Sequence, residues 1–319
     1  MKPSIQKSIT SLVVFVATML VTQAQEVNKT FSGVKKINLS TSSGDVIVAK
    51  GGTNDVQVKV TFTYDTDEYQ PILEQSGSTL TLKEDFNKRS VSGKSTWQLT
   101  VPDGLELQSS SGSGDFEASD VKVTISANTG SGDYTWKNVS GDSKINTGSG
   151  DIKIDAYQGN ININTGSGDI TVAKTNGDVR ANAGSGNISL ATIKGGVSAN
   201  SGSGNIKAHE LTLTNKGSFN SGSGNVLLVL SAPIAYNLSV NSGSGDAVLD
   251  CKGTKLEGKL IMTASKRNGE IKAPYKFDKT EELTDDGYDN VRIRKTVQLG
   301  SSNVEIKIST GSGMAEVKK

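Results

Sequence analysis

Apolar residues in the middle of the chain follow a two-residue alternation that restarts every nine residues. Between residues 152 and 190 they occur as pairs two residues apart, namely Ile152/Ile154, Ile161/Ile163, Ile170/Val172, Val179/Ala181 and Ile188/Leu190. A spacing of two is the period of a β-strand that buries one face. The pattern therefore predicts short strands separated by turns, with two strands in every 18 residues.

A four-residue peptide marks one of the two predicted turns. Gly-Ser-Gly followed by Asp or Asn recurs eight times; the first five steps are 18 residues long and the last two are 20 and 21. The fourth position is occupied by Asp115, Asp133, Asp151, Asp169, Asn187, Asn205, Asn225 and Asp246. Self-similarity at a short fixed period is typical of a repeat architecture. The sequence predicts an all-β fold, a single-chain β-solenoid with 18-residue coils and two short strands per coil.

Each turn has a composition with a structural interpretation. We expect the two glycines to adopt positive φ, which costs glycine nothing, and the following Asp or Asn to bond the local backbone. The glycines taken as structural are Gly130, Gly132, Gly148, Gly150, Gly166 and Gly168. An asparagine precedes each turn, as at Asn146, Asn164 and Asn182. Stacked asparagines can bond amide to carbonyl along an array, so this column is predicted to be structural.

The regularity of the repeat differs along the sequence and divides the chain into segments. Residues 26–108 alternate without strict repeats and predict an N-terminal β cap with the first degenerate coils. Residues 109–273 predict the regular β-solenoid. Residues 274–290 are polar and predict a projecting inserted loop, and residues 291–319 predict the C-terminal coils. A cap is expected because an exposed end coil would template aggregation.

Residues 1–25 predict a signal peptide. Lys2 and Lys7 are followed by an apolar run, Leu12–Val21, and by Ala24 near a cleavage site. The run is short for a membrane span, although an uncleaved anchor remains an alternative. We therefore expect an exported protein, in the periplasm, on the outer-membrane surface or outside the cell, with no transmembrane segment in the mature chain.

The net charge and the cysteine content limit the possible partners and the possible cross-links. The net charge of the full chain is +1, which predicts no basic face and no nucleic-acid partner. Cys251 is the only cysteine and cannot form an intramolecular disulfide. We expect it to be a small buried apolar residue.

A metal site is one alternative. Asp115, Asp133, Asp151 and Asp169 would form a column of carboxylates, and calcium prefers several oxygen ligands. Calcium-binding β-rolls use a different glycine–aspartate spacing, however. The change to asparagine later in the column also keeps the turn geometry while removing charge. The main expectation is therefore no cofactor, with a calcium-stabilised β-roll-like surface protein as the alternative.

An enzyme acting on polysaccharides is the second alternative, and it would use acidic residues such as Asp142, Asp155 and Asp178. The repeat loops are too short to build the walls of a substrate groove. The only histidine, His209, alternates with buried positions and is predicted on the outer face. No nucleophile-elbow motif accompanies it. We predict no enzyme activity and no catalytic residue.

Three aromatic residues could stack on a sugar if they faced outward. They are Tyr134, Trp136 and Tyr157. Tyr134 and Trp136 occupy the positions equivalent to Ile152 and Ile154 one coil later, so we expect both in the interior.

The unit SGSGDI-x-I and the segment VPDGLELQSSSGSGDFEA resemble a bacterial adhesin-type β-strand-repeat family. Its members are exported proteins of unknown function, similar to auto-transporter adhesin heads of the GIN type. The resemblance covers roughly residues 31–319. It implies an exported β-solenoid that binds a cell-surface or envelope component, a glycan or a protein. It supplies no catalytic residues.

Overall fold

The computed structural model of the chain describes residues 24–88, 90–284 and 291–319. The described residues form 27 strands and no helix. The all-β solenoid predicted from the repeat is therefore confirmed. The predicted signal peptide lies outside the described residues except for its last two positions.

The strands divide into three groups along the chain. The N-terminal strands are β1 (Gln25–Phe31), β2 (Lys36–Thr41), β3 (Asp45–Lys50), β4 (Val56–Phe62), β5 (Tyr69–Ser76), β6 (Thr79–Phe86) and β7 (Ser95–Val101). The central strands are β8 (Glu106–Ser111), β9 (Phe116–Ser119), β10 (Thr124–Thr129), β11 (Tyr134–Ser140), β12 (Ser143–Thr147), β13 (Ile152–Gln158), β14 (Ile161–Thr165), β15 (Ile170–Asn176), β16 (Val179–Ala183), β17 (Ile188–Ser201), β18 (Ile206–Ser221), β19 (Val226–Leu230), β20 (Leu238–Ser242) and β21 (Ala247–Asp250). The C-terminal strands are β22 (Gly258–Ser265), β23 (Glu270–Lys272), β24 (Lys279–Thr284), β25 (Val291–Leu299), β26 (Glu305–Thr310) and β27 (Met314–Lys318).

The strands pair into two stacks, which we call the Asn sheet and the Asp sheet. The Asn sheet has the spatial order β5, β6, β2, β8, β10, β12, β14, β16, residues 197–201 of β17, residues 217–221 of β18, β20, β26, β22, β25 and β24. The Asp sheet has the order β1, β4, β7, β3, β9, β11, β13, β15, residues 188–195 of β17, residues 206–213 of β18, β19, β21, β27 and β23. The strands of successive coils are parallel, and each residue of a regular coil faces the residue 18 positions later.

Two corners connect the sheets. The first corner is the Gly-Ser-Gly turn that leads from the Asn sheet to the Asp sheet, and the second corner leads back. The inward side chains between the sheets are aliphatic ladders such as Ile152, Ile170 and Ile188, all buried. Because each coil repeats the same inward positions, burial continues through the whole stack and stabilises it.

The glycines of the first corner are required for a reason other than the one expected from sequence. None of them lies in the left-handed region, so the prediction of positive φ was wrong. A Cβ atom on Gly150 would instead lie inside van der Waals contact with the carbonyl oxygen of Gly132 in the preceding coil. Gly168 has the same relation to Gly150. Positive φ occurs at the second corner, for example at Gly159 with φ 129°.

A left-handed residue also bends each strand of the Asp sheet in the regular coils. The positions are Asp120, Asn138, Ala156, Lys174, Thr192 and Glu210, with φ between 52° and 58°. The bend shifts the alternation, so the side chain that follows points inward. Tyr157 follows Ala156 and is buried, which excludes the outward position considered for it.

Every long insertion into the solenoid falls at the second corner. Residues 51–105 leave after β3, and the regular path resumes at β8, which pairs with β2. Residues 251–304 leave after β21, and the path resumes at β26, which pairs with β20. The coils of 20 and 21 residues also place their extra residues between the Asp sheet and the Asn sheet.

The two large insertions fold back over the ends of the solenoid. At the N-terminal end, β6 and β7 form a coil outside β2 and β3, and β1, β4 and β5 add antiparallel strands. At the C-terminal end, β22 and β23 lie outside β26 and β27, and β25 and β24 follow as antiparallel strands.

Two sequence predictions for this end need correction. The loop predicted at 274–290 contains strand β24 at 279–284, because its alternating side chains pair with β25. Residues 291–319, predicted as C-terminal coils, comprise the antiparallel strand β25 and one coil, β26 and β27, which is covered by the coil of residues 258–272.

Candidate binding face

The outer surface of the Asn sheet carries an unbroken ladder of side-chain amides. Asn146 Nδ2 donates to Asn128 Oδ1 at 2.6 Å, and Asn164 Nδ2 donates to Asn146 Oδ1 at 2.8 Å. The ladder continues through Asn182, Asn200, Asn220 and Asn241 with distances of 2.7 to 2.9 Å. Ser309 Oγ of the C-terminal coil donates to Asn241 Oδ1 at 2.6 Å and ends it. Each amide is thereby held in one orientation.

A second outward row runs beside the ladder, two residues earlier in each strand. In the later coils it consists of serines, and Asn220 Nδ2 donates to Ser218 Oγ at 3.0 Å. Asn241 Nδ2 makes the same bond to Ser239 Oγ at 2.8 Å. In the earlier coils the row contains the exposed charged side chains Lys144 and Arg180. The face therefore offers fixed amide and hydroxyl groups, with few charges along its middle.

A groove lies on this face toward its N-terminal end. It has a volume of about 430 Å³ and crosses strands β6, β2, β8 and β10. Its polar lining comes from Asn38, Ser40, Thr81, Lys83, Gln108, Ser110, Ser126 and Asn128. Apart from Lys83 these groups are uncharged donors and acceptors, which suit the hydroxyl groups of a sugar.

A ladder of buried hydroxyls lies behind the asparagines, at the first corner. Thr147 Oγ1 accepts a hydrogen bond from Gly150 N at 3.0 Å and donates one to Gly132 O of the preceding coil at 3.3 Å. Ser201 and Ser221 make the equivalent bonds. Sequence reasoning missed this column, although Thr or Ser directly before most Gly-Ser-Gly turns was a visible signal. Ala183 interrupts it.

The aspartates considered as metal ligands form a column at the start of the Asp sheet strands. Asp115 Oδ1 accepts Asp133 N at 2.8 Å, and Asp133 Oδ1 accepts Asp151 N at 2.7 Å. The same bond continues through Asp169, and beyond it through asparagines. One oxygen of each side chain is thus used to connect successive coils. Within the described ranges, no group of three or more His, Cys, Asp and Glu side chains is arranged to hold a metal ion.

The acidic residues considered for catalysis occupy two different surfaces. At the second corner, Asp142 Oδ1 accepts Asn160 N at 2.9 Å, and Asp178 Oδ1 accepts Gly196 N at 2.7 Å. Asp155 lies on the Asp sheet, where it forms an ion pair with Lys174 at 3.0 Å. The three carboxylates therefore do not converge on one site.

The aromatic residues are interior. Tyr134, Trp136 and Tyr157 are at most 1% exposed, and Trp136 stacks on Tyr157 with ring centroids 6.4 Å apart. The Tyr157 hydroxyl donates to Gly141 O, and burial raises the pKa of Tyr157 to about 12. Burial likewise raises the pKa of the Cys251 thiol to about 11. His209 is half-buried between the buried Ala208 and the exposed Glu210, on the outer side of the Asp sheet.

Several solved structures are similar to the chain at low sequence identity. No curated protein matches the chain. A structure described as a "putative cell adhesion protein" from Clostridium sporogenes is 16% identical, with a TM-score of 0.25, and the match covers 93% of this chain and 99% of that chain. A "putative lipid binding protein" from Parabacteroides distasonis is 14% identical, with a TM-score of 0.38 and coverage of 93% and 96%. A "putative adhesin" from Bacteroides fragilis is 14% identical, with a TM-score of 0.31 and the same coverage of 93% and 96%.

The described residues include no helix long and apolar enough to cross a membrane. The family model Toastrack DUF4097 matches residues 34–272, which is well over half of the chain. The match runs from the first coil to the short strand β23 and so includes most of the solenoid. The chain belongs to the Toastrack DUF4097 family.

Proposed function

We propose that this protein is an exported, non-catalytic, adhesin-like binding module whose outer Asn-sheet face holds a polysaccharide of the cell surface or envelope. The N-terminal sequence supports export, to the periplasm, the outer-membrane surface or the exterior. Asp142 and Asp178 line one groove, but their Oδ1 atoms accept backbone N–H groups of the next coil and Asp155 lies apart from them, which supports a role without catalysis.

The asparagine ladder is the observation that carries the proposal. A ligand that binds mobile side chains must pay for ordering them. Here the amides are already fixed by their neighbours at 2.6 to 2.9 Å. Both Nδ2 hydrogens of Asn220 and Asn241 are used within the protein. Each Oδ1 of the ladder still has a second lone pair, and each neighbouring serine hydroxyl still has its O–H donor, for a ligand. A regular row of such groups suits a polymer with a regular row of hydroxyls.

A glycan array with two blocked variants tests the proposal. Asn162→Trp with Ser198→Trp places bulk on the Asn-sheet face, where both residues are half-exposed. The control, Thr171→Trp with Ser189→Trp, places the same bulk on the outer side of the Asp sheet. We expect the wild type and the control to bind the same glycans and the first variant to lose them. Absence of any glycan binding by the wild type, loss in the control alone, or cleavage of the polysaccharide would refute the proposal.

A further inference from the structure

The C-terminal end of the Asn-sheet face differs from the rest of it. Strand β25 pairs antiparallel with β22, so its outward residues are not constrained by the repeat. Arg292 and Arg294 lie on the same side of β25, separated by Ile293. Both line a groove of about 410 Å³ that extends across β20, β26, β22 and β25. We call this groove the arginine groove.

The arginine groove continues the asparagine ladder. In cross-strand register, Asn241 faces Ser309, Ser309 faces Thr263, and Thr263 faces Arg294. A row of an amide and two hydroxyls therefore leads directly to a guanidinium group. Ile261 and Leu283 also line the groove, and they offer an apolar surface to the C–H groups of a sugar ring.

Both arginines are half-buried side chains of the groove. Neither forms an ion pair with any residue in the described part of the chain. Arg294 Nε is buried and has no hydrogen-bond partner there. An unpaired buried donor is costly, so a shift of the side chain that brings Arg294 Nε to an acceptor of a ligand would be favoured. Arginine presents a planar pair of donors that matches a carboxylate.

The charge around the groove is positive but mixed. Lys259 and Lys307 also line it, and Lys307 is paired with Glu305 at 2.7 Å. Glu281 faces Arg294 across the strand pair. The acidic residues disfavour a densely charged surface such as an anionic membrane. They are compatible with carboxylates that are spaced along a chain of neutral hydroxyls.

We propose that the arginine groove binds the carboxylate groups of an acidic polysaccharide, with Arg292 and Arg294 as the specificity-determining residues. This inference rests on the proposed function of the Asn-sheet face. The hydroxyl and amide row binds the sugar hydroxyls, and the two guanidinium groups distinguish an acidic sugar from a neutral one.

Calorimetric titration with a homogeneous oligogalacturonate, and with its neutral methyl ester, tests the inference. For the wild type we expect at least about tenfold tighter binding of the acid, which corresponds to one charged bidentate contact. Arg292→Ala with Arg294→Ala should reduce the affinity for the acid to that for the ester. The control Lys153→Ala with Lys207→Ala removes two positive charges from the outer side of the Asp sheet, away from the proposed binding face, and should change it less than about twofold. Equal binding of acid and ester by the wild type, or an equal loss in the control, overturns the inference.

A lysine variant and a vesicle-binding assay complete the test. If the alanine variant does not fold, Arg292→Lys with Arg294→Lys retains both charges but not the planar donor pair. It should weaken binding of the acid several-fold, and unchanged affinity overturns the inference. Phosphatidylglycerol vesicles that bind the wild type but not the variants would identify a membrane partner and also overturn it. If acid and ester bind equally, the proposed function still stands, whereas binding of no glycan removes both.

Discussion

The two corners of each coil are built from similar residues but behave differently. The first corner is uninterrupted in every coil of the regular path, from Ser42-Ser43-Gly44 to Gly311-Ser312-Gly313. The second corner accepts additions of a few residues and also both capping insertions, at 51–105 and 251–304. The first corner is therefore constant in length, whereas the second corner varies in length.

The first corner has three interactions between successive coils, and one of them distinguishes it from the second corner. At the first corner the glycine backbones approach too closely for a Cβ atom, as at Gly150. Buried hydroxyls such as Thr147 join adjacent turns, and the aspartate column bonds the next backbone N–H. An extra residue there would break all three at once. At the second corner a Cβ atom on Gly177 would likewise lie against the carbonyl oxygen of Gly159, and side chains such as Asp142 also bond the next coil. The described structure places no buried hydroxyl ladder there, so this ladder is what distinguishes the first corner.

Replacement of a first-corner glycine should have the largest effect. Gly150→Ala forces a Cβ against the carbonyl of Gly132, and overpacking against backbone should cost about 3 kcal/mol or more. The control is Gly52→Ala, where an added Cβ meets nothing within 4 Å. Thermal melting monitored by circular dichroism measures both. Equal melting midpoints for the two variants would show that the close approach of the glycine backbones does not constrain the first corner.

Removal of one buried hydroxyl should have the next largest effect. Thr165→Val keeps the shape but leaves Gly168 N and Gly150 O without their partner. An unsatisfied buried group costs about 1–3 kcal/mol. Thr171→Val, at an exposed position, serves as the control in urea denaturation. A loss of the same size in the control would contradict the role of the ladder.

Repair of the hydroxyl column should stabilise the protein. Ala183 lies between Thr165 and Ser201 in register. Ala183→Ser should bond Gly186 N and Gly168 O in the way that Ser201 bonds Gly204 N and Gly186 O, both at 2.9 Å. We expect a gain of about 1 kcal/mol in the free energy of unfolding. A destabilised variant would contradict the inferred geometry.

Calcium should have the smallest effect. Asp133, Asp151 and Asp169 each use Oδ1 to accept a backbone N–H of the next coil, so the column is stabilised by the protein itself. We therefore predict the same melting midpoint in calcium and in chelator. A higher midpoint in calcium would support the alternative of a cation-stabilised solenoid.

The repeat predicted the solenoid, the two strands per coil and the interior positions of Tyr134 and Trp136, because these depend on local periodicity. It did not predict the inward position of Tyr157, since the left-handed bend at Ala156 has no glycine to mark it. The return of β26 to a position inside the cap depends on pairing between residues 68 positions apart. The arginine groove could not be predicted for the same reason. Strands β22 and β25 lie beside β26 only because β26 returns to pair with β20.

A paired insertion tests the difference between the corners most directly. Two residues, Gly-Ser, are inserted between Ser149 and Gly150 in one variant and between Gly159 and Asn160 in another, and the melting midpoints are compared. Lengthening a loop costs only about 0.6 kcal/mol per doubling, so the second-corner variant should melt near the wild type. The first-corner variant should melt lower, because it also separates the buried hydroxyl ladder, which the second corner lacks. Equal midpoints, or a larger loss at the second corner, would contradict the account.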